Sequence, residues 1–304
     1  MMSRREVAVV VAILVLGAGL AIAAPAFFAP ANLRDLLLAN LPVLIAALGA
    51  TLVILTGEID ISCGSMFAVC SVVAGVIVTT TGSAPVALVA GCLTGALLGS
   101  LNGALVAYAR IPSIVVTLAT MIALRDGLRW ATGGAWVSDL PSSFQWLGLS
   151  QAAYPLIAGA VAVTLVGAVI GVLGHVAGGR AVYAVGSNAT AARLAGLHVE
   201  RVKCVVFATA GLLTAIAAVL NAVRFNQIPS NSGLGLEMKV IAAAVVGGAA
   251  ITGGRGTIRG TLLGVVLLGA IGPALTFFGV TAYWERALQG AIILIAVAAE
   301  AWRR

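Results

Sequence analysis

Chemistry in this chain has few places to reside, and the stretch "LTGEIDISCGS" at 55–65 holds the densest of them. Glu58 and Asp60 stand there between two apolar blocks, beside Thr56, Ser62 and two glycines. Acidic groups in or beside a membrane span cost roughly 2.5–3.5 kcal/mol each, so they call for a physical reason. One arrangement is a cytoplasmic turn, with Ser62 capping the next helix and Asp60 favouring that helix's positive end. The other is a helix broken inside the protein, with Gly57 and Gly64 permitting unwound backbone of the kind that lines transport sites. Asp60 is expected to order the junction, and Glu58 to be the less structural of the two, facing a pathway. The other polar residues within apolar blocks are mostly neutral hydrogen-bonders: Asn40, Thr51, Asn102, Thr117, Thr120 and Asn221. With Thr56, Glu58, Asp60 and Ser62, the residues Asn102, Thr117 and Asn221 are the candidates for a pathway or a helix junction. Asn, Thr and Ser without fixed charge suit a neutral polyhydroxylated solute held weakly.

Other chemistries lack their residues. No G-x-x-x-x-G-K-S/T occurs, so nucleotide hydrolysis is not expected of this chain. Gly253-Gly254-Arg255-Gly256 lacks the Lys-Ser/Thr of a phosphate loop and reads as a tight cytoplasmic turn. No H-E-x-x-H, G-x-S-x-G or Ser-His-Asp grouping appears, and an enzyme is not expected. Cys63, Cys70, Cys92 and Cys204 form no C-x-x-C pair, and the two histidines add no metal spacing, so the cysteines read as small apolar packing residues and no metal is expected.

These residues are held by hydrocarbon. Of 304 residues 61% are hydrophobic and 9% charged, against about 25% charged in soluble domains. The chain is read as a single transmembrane domain over 1–304, an all-α polytopic membrane protein. Breaks at Pro, Gly and charge clusters give ten expected helices, at 7–28, 36–56, 62–80, 85–109, 113–131, 153–174, 203–223, 236–252, 257–278 and 284–301. The first is too long for a signal-peptide core and is read as retained. With both termini cytoplasmic, eleven of the seventeen basic residues fall inside, as the positive-inside bias requires. The formal charge of +7 is thereby accounted for without nucleic acid.

Two connections are long. Residues 131–152 fall outside, where Trp136, Phe144 and Trp146 suit a segment lying on the membrane surface. Residues 175–202 fall inside and contain "SNATAARLAG", which reads as a short helix capped by Ser187 or Asn188 and stopped by Gly196. Such a helix is a docking knob or a solvated connector. Gly95, Gly99 and Gly103, and likewise Gly256, Gly260 and Gly264, recur at four-residue intervals, a spacing that lets helix backbones approach closely in lipid. The segments 56–64 and 246–254 also echo one another, each placing glycines and a Ser or Thr between apolar blocks.

Four ordered stretches together resemble a known family. "LTGEIDISCGSMFA", "IPSIVVTLATMIALRDGL", "AVGSNATAARLAGLHVERVK" and "GLEMKVIAAAVVGGAAITGGRGTIRGTLLG" are similar to segments of the membrane permeases of bacterial ABC sugar importers, the ribose, xylose, galactose, rhamnose and autoinducer-2 class. The resemblance covers roughly residues 35–300. Glu58 departs from it where the family has Gly, and Cys63 where it has Val. It implies a multi-pass inner-membrane permease that passes a monosaccharide or related small polyol, with rhamnose or autoinducer 2 the nearest branches. Its implied partners are a second permease copy or paralogue, a periplasmic sugar-binding protein, and two ABC ATPase subunits or a fused tandem ATPase. ATP and Mg would be bound by that ATPase, with no cofactor in this chain. The loop helix becomes the ATPase-coupling element, with Asn188, Ala192, Arg193 and Gly196 carrying the contact. The competing readings are an ion-coupled secondary transporter or channel, and an ABC permease for branched-chain amino acids.

Overall fold

The structure is a computed structural model that describes residues 3–281 together with 284, 285, 287, 288, 290–292 and 294. It is all-α. Among the described residues the sheet-like pairing is one isolated antiparallel bridge, Val137 with Ile228. The helices are α1 (Arg4–Ala23), α2 (Pro30–Leu55), α3 (Cys63–Thr81), α4 (Ala84–Ala107), α5 (Ser113–Thr132), α6 (Tyr154–His175), α7 (Ala177–Ser187), α8 (Ala189–Leu194), α9 (Val199–Ala222), α10 (Leu236–Val246) and α11 (Ile258–Phe277).

Local signals set many of the ends. Ser3 and Glu6 cap α1 reciprocally, satisfying two of its free N–H groups. Gly82 ends α3 in the left-handed conformation, which glycine adopts without steric cost. Pro30 opens α2, where its missing N–H costs nothing.

Among the described residues seven helices are long and apolar enough to cross a membrane: α1, from Arg5, and α2, α3, α4, α6, α9 and α11. Of the ten expected spans, those at 113–131 and 236–252 differ from a plain apolar crossing. α5 has the length, but Arg125, Asp126 and Arg129 interrupt its apolar character. The eighth expected span, 236–252, is the larger departure. α10 stops at Val246 after 11 residues, about 16 Å of helix against roughly 30 Å of hydrocarbon. The chain then turns through Gly248, Gly253, Gly254 and Gly256, all at positive φ. The first span ends at Ala23, followed by a separate 3-10 turn at Pro25–Phe28. Of the tenth, the described residues between 284 and 294 are helical, and the rest lies outside the described residues.

α2 runs through the centre, buried without interruption from Ile45 to Leu55, and packs on α9, α10 and α11. The tightest pairing joins α4 to α9. A Cβ on Gly95 would lie 2.4 Å from the Gly211 carbonyl oxygen, one on Gly99 2.3 Å from that of Phe207, and one on Gly103 2.9 Å from Cys204 Cα. On the other side, a Cβ on Gly260 would meet the Gly247 oxygen at 1.9 Å and one on Gly264 the Ala243 oxygen at 2.1 Å. Gly256 belongs to no helix. It sits in the turn before α11 at φ 152°, against Ala249.

The 131–152 connection is not a purely superficial segment. Phe144 is fully buried, and the Trp146 ring meets Tyr154 edge-on at 5.2 Å. Val137 pairs with Ile228, so two connections cover one another, and only Trp136 of the three aromatics is exposed.

Candidate functional site

The 56–62 junction is where the polar residues of distant helices meet. Asp60 Oδ1 accepts hydrogen bonds from the Ser62 N–H at 2.8 Å and the Ser62 hydroxyl at 2.6 Å. Ser62 Oγ in turn accepts from Asn102 Nδ2 at 2.9 Å, and Asn102 Oδ1 accepts from the Thr120 hydroxyl at 2.7 Å. Alongside, Ile59 N–H donates to Ser113 Oγ at 3.2 Å, and Thr117 Oγ1 donates to the Ser113 carbonyl at 2.8 Å. Asp60, Ser62, Asn102 and Thr117 are all buried. This chain ties the junction to α4 and α5 with each donor matched to an acceptor, the condition under which a buried polar network stabilises. Asp60 thus bonds to the residue preceding α3 and its hydroxyl.

Thr56, Glu58 and Asn221 lie apart from this network. Thr56 donates to the Val53 carbonyl at 2.7 Å and closes the end of α2. Glu58 turns the other way and forms an ion pair with Lys203 at the start of α9. Beside that pair is a cavity of about 400 Å³ lined also by Arg110, Pro112, Arg193 and Glu200. Asn221 is half-buried in the last turn of α9, at the opposite end of that helix from Lys203.

The second broken segment, 247–257, reaches the first. Gly254 N–H donates to the Leu55 carbonyl at 2.9 Å, and a Cβ on Gly253 would lie 2.7 Å from the Gly57 nitrogen. The end of α7 enters the same joint, since a Cβ on Gly186 would lie 1.8 Å from the Leu55 oxygen and 2.6 Å from the Gly254 nitrogen. Three backbones meet where glycine alone leaves room. Tyr183 of α7 also donates to the Gly256 carbonyl at 3.0 Å, and burial pushes its hydroxyl pKa up.

α7 leads directly into α8. Asn188 Oδ1 accepts from the Ala191 N–H at 2.9 Å. At the other end Gly196, at φ 85°, turns the chain so that Leu197 N–H donates to the Ala192 carbonyl at 3.0 Å, the C-terminal closure glycine allows. Ala192 is buried against Val185 and Val199, so it fixes α8 onto α7 and α9 and does not form an outer surface. The outward groups are Arg193, paired with Glu200 at 2.5 Å, and Leu194, which is 87% exposed. Leu194 went unremarked in the sequence because one apolar residue carries no periodicity; its place on a short capped helix was the available signal. α7 itself was missed within the expected 175–202 connection, its run broken by Gly178, Gly179 and Gly186.

Sequence reasoning also overlooked Arg125 and Glu237. Their charged atoms lie 4.0 Å apart, with Glu237 buried. They sit 112 positions apart in sequence, so no local pattern pairs them. No cluster of three or more His, Cys, Asp or Glu able to hold a metal occurs among the described residues.

A half-length helix, glycine-rich broken segments that meet, and a buried polar junction are features of solute-conducting membrane proteins. Residues 32–297 match the family described as branched-chain amino acid transport system / permease component. The chain belongs to this family and is a multi-pass membrane permease subunit of an importer. Similar proteins include the autoinducer 2 import system permease protein LsrC of Enterobacter sp. strain 638, 36% identical over 97% of this chain and 86% of that protein. The protein of the same name from Shigella flexneri is 39% identical over 83% of this chain and 73% of its own length. That from Salmonella paratyphi B is 38% identical over 83% and 72%. No solved structure matches the chain.

Proposed function

We propose that the chain is the permease of an ABC importer for a small neutral polyol of the autoinducer-2 or monosaccharide kind, and that α8 docks on its ATPase. The similarity to autoinducer 2 permeases over most of the chain supports the substrate class. One observation carries the mechanism. α8 is locked to α7, and the last turn of α7 touches both broken segments through Gly186. A rigid-body displacement of α8 on ATPase closure is thereby delivered to the joint of Leu55, Gly57 and Gly254, and the bundle opens on the other side. Arg193, Glu200 and Leu194 form the contact, while Asn188 and Gly196 hold its shape. The partners are two ATPase subunits or a fused pair, which bind ATP and Mg, a second permease, and a periplasmic binding protein. The termini face the cytoplasm.

Similarity to autoinducer 2 permeases over most of the chain favours this reading over the branched-chain amino acid alternative. Ion coupling is disfavoured because Glu58 is held by Lys203. The test is co-purification of the tagged chain with its cognate ABC ATPase, comparing the parent with Arg193→Glu and Gly196→Trp. A stable parent complex lost in both variants, while both still fold in membranes, supports the dock. A parent that binds no ATPase under any nucleotide condition overturns it.

A further inference from the structure

Arg125 is the thirteenth residue of α5, about 18 Å along a helix rising 1.5 Å per residue. It carries buried Nη1 and Nη2 atoms with no hydrogen-bond acceptor. Facing it at 4.0 Å is Glu237 Oε2, likewise buried and without a donor. That separation is an ion pair too long to be a hydrogen bond. Glu237 Oε1 accepts the Gly235 N–H, at 3.3 Å.

The carboxylate is positioned by backbone. It stands in the first turn of α10 and against the first turn of α3, where a Cβ on Gly64 would lie 2.0 Å from Oε2. Two helix N-termini, each bearing free N–H groups and partial positive charge, therefore flank it. Arg125 has no such fixed partner. A guanidinium presents five donors in a rigid fork and stays charged, and leaving its buried donors unmatched is costly.

An intramembrane charge pair of this kind faces a bundle interior or a water-filled cavity, not lipid. Its flanks are open in the isolated chain: Ile122 is 57%, Leu234 55% and Met238 52% exposed. Arg125 of α5 and Glu237 of α10 thus stand beside an uncovered apolar flank.

We propose that Arg125 and Glu237 form a solute-contacting station in the translocation pathway, an inference that rests on the importer reading above. The unmatched guanidinium N–H groups donate to hydroxyl oxygens of a neutral polyol, and Oε2 accepts a hydrogen bond from a solute hydroxyl. Both bonds are charge-assisted, and they vanish when the solute leaves. The apolar Ile122 and Met238 meet the carbon face of the solute. A station of this kind selects for adjacent hydroxyls and needs no net charge on the cargo.

The experiment is uptake of labelled autoinducer 2 and of labelled rhamnose into proteoliposomes. They contain the assembled importer with its ATPase and binding protein. The versions compared are the parent, Glu237→Gln, Arg125→Gln and the double exchange Arg125→Glu with Glu237→Arg. Melting temperature is measured for each. At least a tenfold fall in uptake is expected for both single variants, with Glu237→Gln melting within about 3 °C of the parent. The exchange is expected to restore neither uptake nor the full melting temperature, because the two helix N-termini favour a carboxylate over a guanidinium at 237. Recovery of uptake by the exchange, or single variants within twofold of the parent, overturns the station and leaves a structural ion pair. A parent that takes up neither solute overturns the substrate class and the station with it, which separates that failure from the previous one.

Discussion

Gly186 and Leu55 are joined backbone to backbone: a Cβ added at 186 would lie 1.8 Å from the Leu55 carbonyl oxygen. That oxygen also accepts the Gly254 N–H at 2.9 Å. Helix α7, the end of α2 and the second broken segment thus share one atom. Gly186→Ala must separate α7 from α2. A loss of about 1–3 kcal/mol in stability is expected from such overpacking, with uptake falling further than stability because the joint carries the motion. Thermal unfolding in detergent together with uptake by the reconstituted importer reads both. Equal losses of stability and uptake would deny the joint a part in transmission.

The Asp60 to Asn102 chain distinguishes charge from shape. Asp60→Asn keeps an acceptor oxygen for Ser62 and is expected to cost about 1 kcal/mol, the difference between a charged and a neutral acceptor. Asp60→Ala leaves the Ser62 N–H without its partner and is expected to cost about 1–3 kcal/mol. Should both variants unfold and transport like the parent, the junction role of Asp60 is wrong.

Ser62 and Asn102 can be tested as a pair. Ser62→Ala removes the acceptor of Asn102 Nδ2, and Asn102→Ala removes the donor. Since both groups act in one network, the double variant is expected to cost less than the sum of the singles by 0.5 kcal/mol or more, roughly the coupling of residues in contact. Strict additivity in a denaturation series would show the two to be independent.

At α4 and α9 the expectation is steric. Gly99→Leu drives a side chain into the Phe207 carbonyl, which already stands 2.3 Å from a Cβ there. The helices must part, and the protein is expected to fail to accumulate in membranes. Gly159→Leu, with nothing within 4 Å of its Cβ, is the control and is expected to accumulate normally. Quantitative immunoblotting of membranes compares them.

The coupling helix offers a cap to remove. Asn188→Ala deletes the acceptor of the Ala191 N–H and is expected to cost about 1 kcal/mol of local stability. Asn188→Asp retains it. Weaker ATPase co-purification with Ala, restored by Asp, is the expected pattern. Equal binding by all three would mean that α8 needs no cap to dock.

The sequence by itself determined the all-α membrane class, the permease family, and the ends of helices built from neighbours in the chain. Asn188 and Gly196 around α8 are cases, because a cap depends on residues three or four positions apart. It also brought out the likeness between 56–64 and 246–254, though not that Gly57 and Gly253 touch. Tertiary structure alone decided which polar groups are partners. Glu58 goes to Lys203 and Asp60 to Ser62 and so to Asn102, although both acids share one short segment. Arg125 meets Glu237 across 112 positions, and α10 stops half-way although its apolar run continues. Hydrophobicity specifies that a segment leaves water, and a membrane rewards every apolar helix alike. Which faces then meet is set by close packing at glycines and by the need to match buried donors with acceptors, and both depend on helices far apart in the chain.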